Sequence, residues 1–394
     1  MYDPAVKDEP VVVIGASTAG LFAAYLLARG GVPVRVFDAA RELGPPARTL
    51  IVTSQINAVL GFVPSEAIVN RTPRVELFSS AGSANVVLRE PDLIVERETL
   101  VRLLAEKARR AGAEIRTDYR FLHLEPRGDG LLLSLRNARH DRVEHLRTRY
   151  LIGADGVFSQ VARAAGQDSH SAVPILQALV ALPEKARPDT TQVWFDPQST
   201  PYFYWLIPES QDRAAVGLIA EACTEPSRSN GREARESLDG FLAAHGLEPL
   251  DYQAAQVSLY APRPRPWCRM DGAQVFLVGD AAGHVKVTTV GGVVTGLRGA
   301  RAAARAILRG SDFGGELRGL RWELDLHLLV RRVLSRFTAA DYDALLDLLN
   351  HQTTSLLSLR TRDELSRMFL RLILAQPRLL DLTAKAVLRA LLRR

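Results

Sequence analysis

The chain has 394 residues, 47% of them hydrophobic and 24% charged, which is the balance of a folded globular protein rather than a disordered chain. That length exceeds one ordinary core, so two or three interlocked units are expected. The net charge of +6 comes without zinc-finger spacing, an aromatic RNA-binding signature or a long basic block, so no nucleic-acid partner is expected. Two cysteines, Cys223 and Cys268, make neither a metal cage nor a disulfide framework; they suit a reducing cytoplasm, and no metal is expected.

Residues 11–28, "VVVIGASTAGLFAAYLLA", carry no charge and are nominally long enough to span a bilayer. The β-branched run breaks at Gly15, however, and the apolar period changes after Gly20. The acidic start "MYDPAVKDEP" is also a poor signal peptide. A strand, a tight turn and a helix are predicted instead, followed by a second strand, "VPVRVFDA", parallel to the first. Short strands "RVELFSS" and "ANVVLRE" follow at hairpin spacing, then an amphipathic helix, "ERETLVRLLAEKARRAG", with Leu100, Leu103, Leu104 and Ala108 on one face. Strands are expected in "AEIRTDYRFLHLEP", "GLLLSLRN" and "EHLRTRYLIGADG". From about 171 to 260 the alternation is that of an antiparallel sheet interrupted by one helix. The chain returns with "QVFLVGDAAG" and the Ala/Arg-rich helix "TGLRGARAAARAILRG", and from 316 onward it reads as leucine-spaced helices.

Three motifs carry chemistry. "GASTAG" places Gly15 at the tight turn, Ser17 where a middle glycine is usual, and Ala19 and Gly20 where the helix must pack close to the strand. The helix N-terminus would face a pyrophosphate, and Asp38, about twenty residues on, would hold a ribose diol. In "YLIGADGVFSQVAR" a hydrophobic strand ends in Asp155-Gly156, with Ser159 and Arg163 beyond. This stretch also fits a plain Asp-Gly turn before a capped helix. In "GDAAGHVKVTTVGG" a strand ends at Gly279 and Asp280, and small residues and the pair Gly291-Gly292 follow. A carboxylate there would grip a polyol, and glycines would let backbone approach a flat ring.

In order and spacing, these motifs resemble the p-hydroxybenzoate hydroxylase-like flavoproteins. The resemblance implies FAD, with Asp280 on its ribityl or ribose hydroxyls and the helix after Gly291-Gly292 aimed at the pyrimidine edge of the ring. It also implies Arg97 as an arginine reaching the cofactor from a helix start, and Arg48 as a contact to flavin or nicotinamide. Within that group, "GDAAGHVKVTTVGG" is similar to the geranylgeranyl reductase family, with Val287 in place of a proline and Val290 in place of the first of three glycines. The family's Tyr-x-Trp-x-x-Pro is matched here by Phe203-x-Trp205-x-x-Pro208, a stretch that reads equally well as an aromatic strand packing a core.

The implied fold is α/β: a Rossmann-like FAD-binding domain (1–75, 91–170 and 261–315), an inserted antiparallel β-sheet substrate domain (76–90 and 171–260) and a C-terminal helical region (316–394). The implied activity is hydride transfer from reduced flavin to carbon–carbon double bonds of a prenyl, geranylgeranyl-type chain, accompanied by a proton. His284, Lys286, Tyr204 and Trp205 are the candidate catalytic residues. Some family members carry a cysteine motif after the second strand, but "GPPARTLIVTSQ" has none, so the proton donor is unassigned. No second glycine fingerprint is present, which leaves NAD(P)H docking transiently or an external reductase as electron donor. A flavin monooxygenase or halogenase acting on an aromatic or polyketide substrate, and a flavin-bearing lipid-binding protein without turnover, are the competing readings.

From Leu356 onward nine basic residues face three acidic ones, a net +6 equal to that of the whole chain. The last helix, "LTAKAVLRALLRR", therefore suits either an anionic lipid surface or packing on the domain with solvated arginines. A cytoplasmic protein, peripheral at the membrane in the first case, is expected.

Overall fold

The computed structural model describes residues 9–44, 48–167, 170–221, 229–349, 353–354, 358 and 361–392. Strand β1 (Val11–Ile14) leads through Gly15 into helix α1 (Thr18–Arg29) and back to β2 (Val34–Phe37). Next come β3 (Thr49–Val52), α2 (Gln55–Leu60), the long strands β4 (Ile68–Phe78) and β5 (Ser83–Glu96), and α3 (Arg97–Arg110). Strands β6 (Glu114–Arg116), β7 (Tyr119–Arg127), β8 (Gly130–Asn137), β9 (Arg142–Thr148) and β10 (Tyr150–Gly153) precede the short helix α4 (Gln160–Ala164). The central stretch holds β11 (Ala172–Ala181), β12 (Thr190–Trp194), β13 (Tyr204–Pro208), β14 (Arg213–Ile219), α5 (Ser229–Ala244) and β15 (Pro249–Ser258). Then β16 (Trp267–Met270) and β17 (Ala273–Leu277) lead to α6 (Val293–Arg309), α7 (Phe313–Leu334) and α8 (Ala339–Asp347). Two helices, Leu365–Ala375 and Arg378–Leu392, close the described chain.

The six-stranded sheet runs β16-β17-β10-β1-β2-β6 and is parallel except at its β16 edge. Its strands are covered on both faces, which is why β1 is an unbroken apolar run rather than an alternating one. Val11 and Val13 pack with α1, α3 and α6, whereas Val12 and Ile14 pack with Phe121, Leu131, Leu133 and Val161 from β7, β8 and α4. The strands over 119–148 thus form their own three-stranded layer, β7-β8-β9, against the second face.

The eight-stranded sheet runs β15-β11-β14-β13-β12-β4-β5-β3, antiparallel apart from the β12–β4 pair. It takes in 49–52 and all of 68–96, more of the N-terminal half than the expected 76–90. The β4–β5 ladder continues past the short hairpin through a register shift between the pairs Thr72–Asp92 and Arg74–Val87; Pro73 and Pro91 lie in that gap, where an irregular ladder tolerates a residue with no N–H. One face of this sheet packs Tyr204, Leu206, Val216 and Leu218 against Leu238 and Leu242 of α5; the other carries Trp205, Ile207 and Ile219 toward the first sheet. Among the described residues no helix is long and apolar enough to cross a membrane.

The turn between β1 and α1 depends on two glycines with no spare space. Gly15 sits at φ +101°, and a Cβ on Gly20 would lie 2.1 Å from the Gly15 carbonyl oxygen and 2.9 Å from the Ala154 Cβ. Gly20→Ala is therefore expected to cost about 3 kcal/mol, lowering the melting temperature by several degrees. Gly240→Ala on α5, where a Cβ meets nothing within 4 Å, is expected to raise stability by about 0.5–1 kcal/mol. Equal melting temperatures for the two variants would contradict this packing.

Candidate functional site

Strands β17, β10 and β1 are neighbours, and each ends in one of the three motifs. Their carboxyl ends therefore deliver Gly279-Asp280, Ala154-Gly156 and the turn to Ser17-Thr18-Ala19 to one edge of the parallel sheet, where open α/β sheets bind ligands. A cavity of about 640 Å³ lies between that edge and the inner face of the eight-stranded sheet, and the C-terminal helices close another side.

Three backbone segments touch at the cavity's base. Gly279 is at φ +63°, with room for a Cβ only 3.2 Å from that of Ala19, and a Cβ on Gly296 of α6 would lie 3.3 Å from the Gly279 Cα. This close approach brings the N-termini of α1 and α6 to the same cavity, and unpaired N–H groups there favour anionic ligand atoms. Ser17 caps α1 by accepting the Gly20 N–H (3.2 Å), and so the hydroxyl that stands for the missing glycine is engaged. Gly292 occupies the cap position of α6. Gly291 lines the cavity beside Lys286, whose N–H donates to the Gly291 carbonyl at 3.1 Å. Val290 between them holds φ +51°, a left-handed conformation that a β-branched residue adopts only under constraint.

Asp280 faces two arginines across the cavity. Burial holds its pKa above the ordinary value, a shift that a backbone hydrogen bond from Ser258 and the nearby Arg48 and Arg97 only partly offset. Both guanidinium pKa values are lowered by their own burial, with Asp280 opposing the shift in each. Arg97 starts α3, donates to the Gly44 carbonyl (2.5 Å), and its backbone N–H bonds the Arg48 carbonyl (2.9 Å). Arg48 Nε has no hydrogen-bond partner among the described residues. Asp280 therefore lies in the field of two guanidinium groups on a glycine-lined wall, and this set of polar groups fits the hydroxyl, phosphate and ring-edge atoms of a flavin dinucleotide. Asp38, half-buried at the end of β2, accepts the Ala16 N–H (2.6 Å) and the Ala40 N–H (2.8 Å), holding the first turn in shape.

Three expected site residues are placed differently. Asp155 accepts from Ser159 Oγ at Oδ1 (2.6 Å) and from the backbone N–H groups of Gln160 (2.7 Å) and Val161 (3.1 Å) at Oδ2, so Oδ2 caps α4 and both oxygens are engaged. Its neighbours Ala154 and Gly156 line the cavity in its place. Tyr204 points away from the cavity, stacked on Phe241 at 4.3 Å with its hydroxyl on the Ser237 carbonyl (3.3 Å). Tyr204 and Trp205 are successive strand residues and must face opposite sides, so the sheet brings only Trp205, with Phe203, to the cavity. His284 is 1% exposed and does not line the cavity; it lies behind the loop, where a Cβ on Gly299 would lie 2.1 Å from its Nδ1.

Lys286 does reach the cavity, and its Nζ lies 2.6 Å from Asp363 Oδ1. Burial pulls the Asp363 carboxyl upward, but Lys286 beside it and hydrogen bonds from Lys286 and Thr53 outweigh that and leave it below the usual range. Next to this pair, Arg362 donates to Asp92 at 2.6 Å, and His327 Nδ1 meets Thr288 Oγ1 at 2.7 Å. Arg331, Tyr342, Arg362 and Asp363, all from the C-terminal helical region, line the same cavity. Sequence reading missed them because charges scattered among leucine-spaced helices look like solvated surface; no local motif marks them.

The profile of the FAD binding domain family matches residues 8–310. The chain belongs to that family. It is 28% identical over 375 residues to digeranylgeranylglycerophospholipid reductase 2 of Methanothermobacter thermautotrophicus, an alignment covering 88% of this chain and 93% of that protein. In fold it is similar to a geranylgeranyl bacteriochlorophyll reductase-like protein from Thermoplasma acidophilum (TM-score 0.76, 20% identity, 95% and 98% of the two chains). It is also similar to the flavin-dependent brominase Bmp2 (TM-score 0.67, 18% identity, 91% and 92% of the two chains). The protein is an FAD-dependent oxidoreductase, similar in sequence and in fold to geranylgeranyl-type reductases.

Burial pushes the His284 imidazole down to about 3, with His170 and Arg298 adding to the shift. An imidazole that is neutral when folded and ordinary when unfolded contributes stability fully present above about pH 6.5, lost progressively as pH falls toward 3. Between pH 7 and pH 5 the loss is expected to be on the order of 2 kcal/mol. His284→Leu should therefore flatten the dependence of melting temperature on pH over that range, with His327, also pushed down to about 3 by burial, sustaining the remainder. An unchanged slope in the variant would show that His284 does not fold as a neutral group.

Proposed function

We propose that the protein saturates carbon–carbon double bonds of a prenyl-lipid substrate, with NAD(P)H or a separate reductase supplying electrons. The observation that carries this reading is the continuity of the cavity. Its glycine-lined base, which fits FAD, opens without a partition onto a wall of Leu50, Val75, Val193, Ile207 and Trp205, chemistry suited to an alkyl chain. The named activity of the archaeal relative is of the same kind.

FAD, when bound and reduced by the electron donor, would supply the hydride. The chain's own residues have to exclude water, hold the alkene and place a proton on the second carbon. Lys286 is suited to the last task, because its ammonium can release a proton and the guanidinium groups of Arg48, Arg97 and Arg331 cannot. Asp363, 2.6 Å from Nζ and held below the usual carboxylate range, is itself a poor proton carrier. Trp205, packed with Val290, Tyr202 and Ile219, shapes the wall opposite the loop. Anaerobic incubation of reduced protein with geranylgeranyl diphosphate should give products two hydrogens heavier per bond. Lys286→Met should slow turnover by at least about 100-fold while FAD stays bound. Incorporation of oxygen or halogen would place the protein with the monooxygenases or halogenases instead, and a flavin that never reoxidises would make it a carrier.

Substrate access favours a lipid surface. Leu374, Leu380 and Leu388 project into solvent from the last two helices, with Arg371, Arg378 and Lys385 also exposed there. Exposed leucines beside basic residues suit the interface of an anionic bilayer. The protein should co-sediment with vesicles containing phosphatidylglycerol but not with pure phosphatidylcholine vesicles, and 0.5 M salt should release it. Equal partition to both would remove the electrostatic part of this reading.

A further inference from the structure

Most buried cations around the cavity have a carboxylate nearby. Lys286 pairs with Asp363, Arg362 with Asp92, and Arg48 and Arg97 share the field of Asp280. Arg331 on α7 is different. It is 9% exposed, lines the cavity and forms no ion pair among the described residues. Its guanidinium lies over the Tyr202 ring at 4.2 Å and donates to the Pro201 carbonyl. Besides Tyr202, the nearby cavity wall is Leu334 and Tyr342, the latter stacked on Phe195. One carbonyl and one ring face leave most of a guanidinium's five N–H donors without an anion, in a place where desolvating a charge is costly.

We propose that Arg331 is the anchor for the anionic phosphate headgroup of the prenyl substrate, an assignment that rests on the prenyl-lipid reading above. The helix geometry supports it. His327, one turn earlier on α7, contacts Thr288 of the loop after Asp280, so Arg331 lies about 6 Å further along the same helix. None of its recorded contacts involves the α1 turn, Asp280, Arg48 or Arg97, which form the dinucleotide end. An anion held at Arg331 would lie beside the apolar wall, at the position where a prenyl chain carrying a phosphate needs its charge neutralised. A planar guanidinium matches phosphate oxygens in bidentate geometry.

Binding to the FAD-loaded full-length protein tests this without turnover. Isothermal titration would compare geranylgeranyl diphosphate, geranylgeraniol and inorganic pyrophosphate. The wild type is expected to bind the diphosphate at least tenfold more tightly than the alcohol, and pyrophosphate alone only weakly. In Arg331→Gln the preference should collapse toward unity with affinity for the alcohol unchanged, and Arg331→Lys should retain part of it. Equal affinities in the wild type, a preference that survives in Arg331→Gln, or loss of alcohol binding in that variant would each overturn the anchor and leave the prenyl reading standing. Pyrophosphate binding as tightly as the diphosphate would overturn the headgroup assignment in favour of a free-phosphate site. Failure of both prenyl compounds to bind the wild type would overturn the prenyl reading and the anchor together.

Discussion

The whole arrangement depends on how closely three backbone segments approach one another. Gly15, Gly20, Gly279 and Gly296 let the β1–α1 turn, the end of β17 and the first turns of α6 meet with almost no side-chain volume between them. Two helix N-termini then face one cavity, and Asp280 lies at its base in the field of Arg48 and Arg97. Each consequence follows from the first: bulkier residues would separate the helices, and the field that favours a phosphate or a ring edge would be divided between two distant places.

A second set of forces joins the C-terminal helices to this base. Lys286–Asp363 and Arg362–Asp92 are buried or half-buried pairs that link the loop after Asp280, the edge of the eight-stranded sheet and the segment before Leu365. Thr53 adds a hydrogen bond to Asp363 from the end of β3. Such pairs add little net stability over well-packed apolar groups, because each ion loses its water on burial. Removing one partner is a different matter, since the other is left charged and dry. Their effect is specificity of arrangement: the helices have one position that satisfies all the charges. Burial keeps the Asp92 carboxyl above its ordinary range even with Arg362 beside it, a sign of how dry this junction is.

The fold was legible in the sequence because its signals are local. Apolar runs ending in glycine or aspartate marked β1, β10 and β17, and their adjacency in one sheet explains why three distant motifs act together. The site was legible only where backbone, rather than side-chain direction, carries the function. Tyr204 and Trp205 both looked suitable until alternation along β13 sent one to α5 and the other to the cavity. His284 looked reactive beside the glycine loop, yet it fills the space that Gly299 leaves open in α6. Asp155 satisfied the plainer of its two readings, as a cap. Arg331, Arg362 and Asp363 were invisible because only tertiary packing distinguishes a buried charge in a helical region from a solvated one.

The bonds from Thr53 and Lys286 to Asp363 span 310 and 77 residues, and that from Arg362 to Asp92 spans 270. The roof of the chamber is therefore supplied by a part of the polypeptide that leaves the ribosome after every strand of both sheets. The nascent protein can complete both sheets while this side still stands open, so there is an interval in biosynthesis when a bulky prosthetic group can enter without any door having to swing.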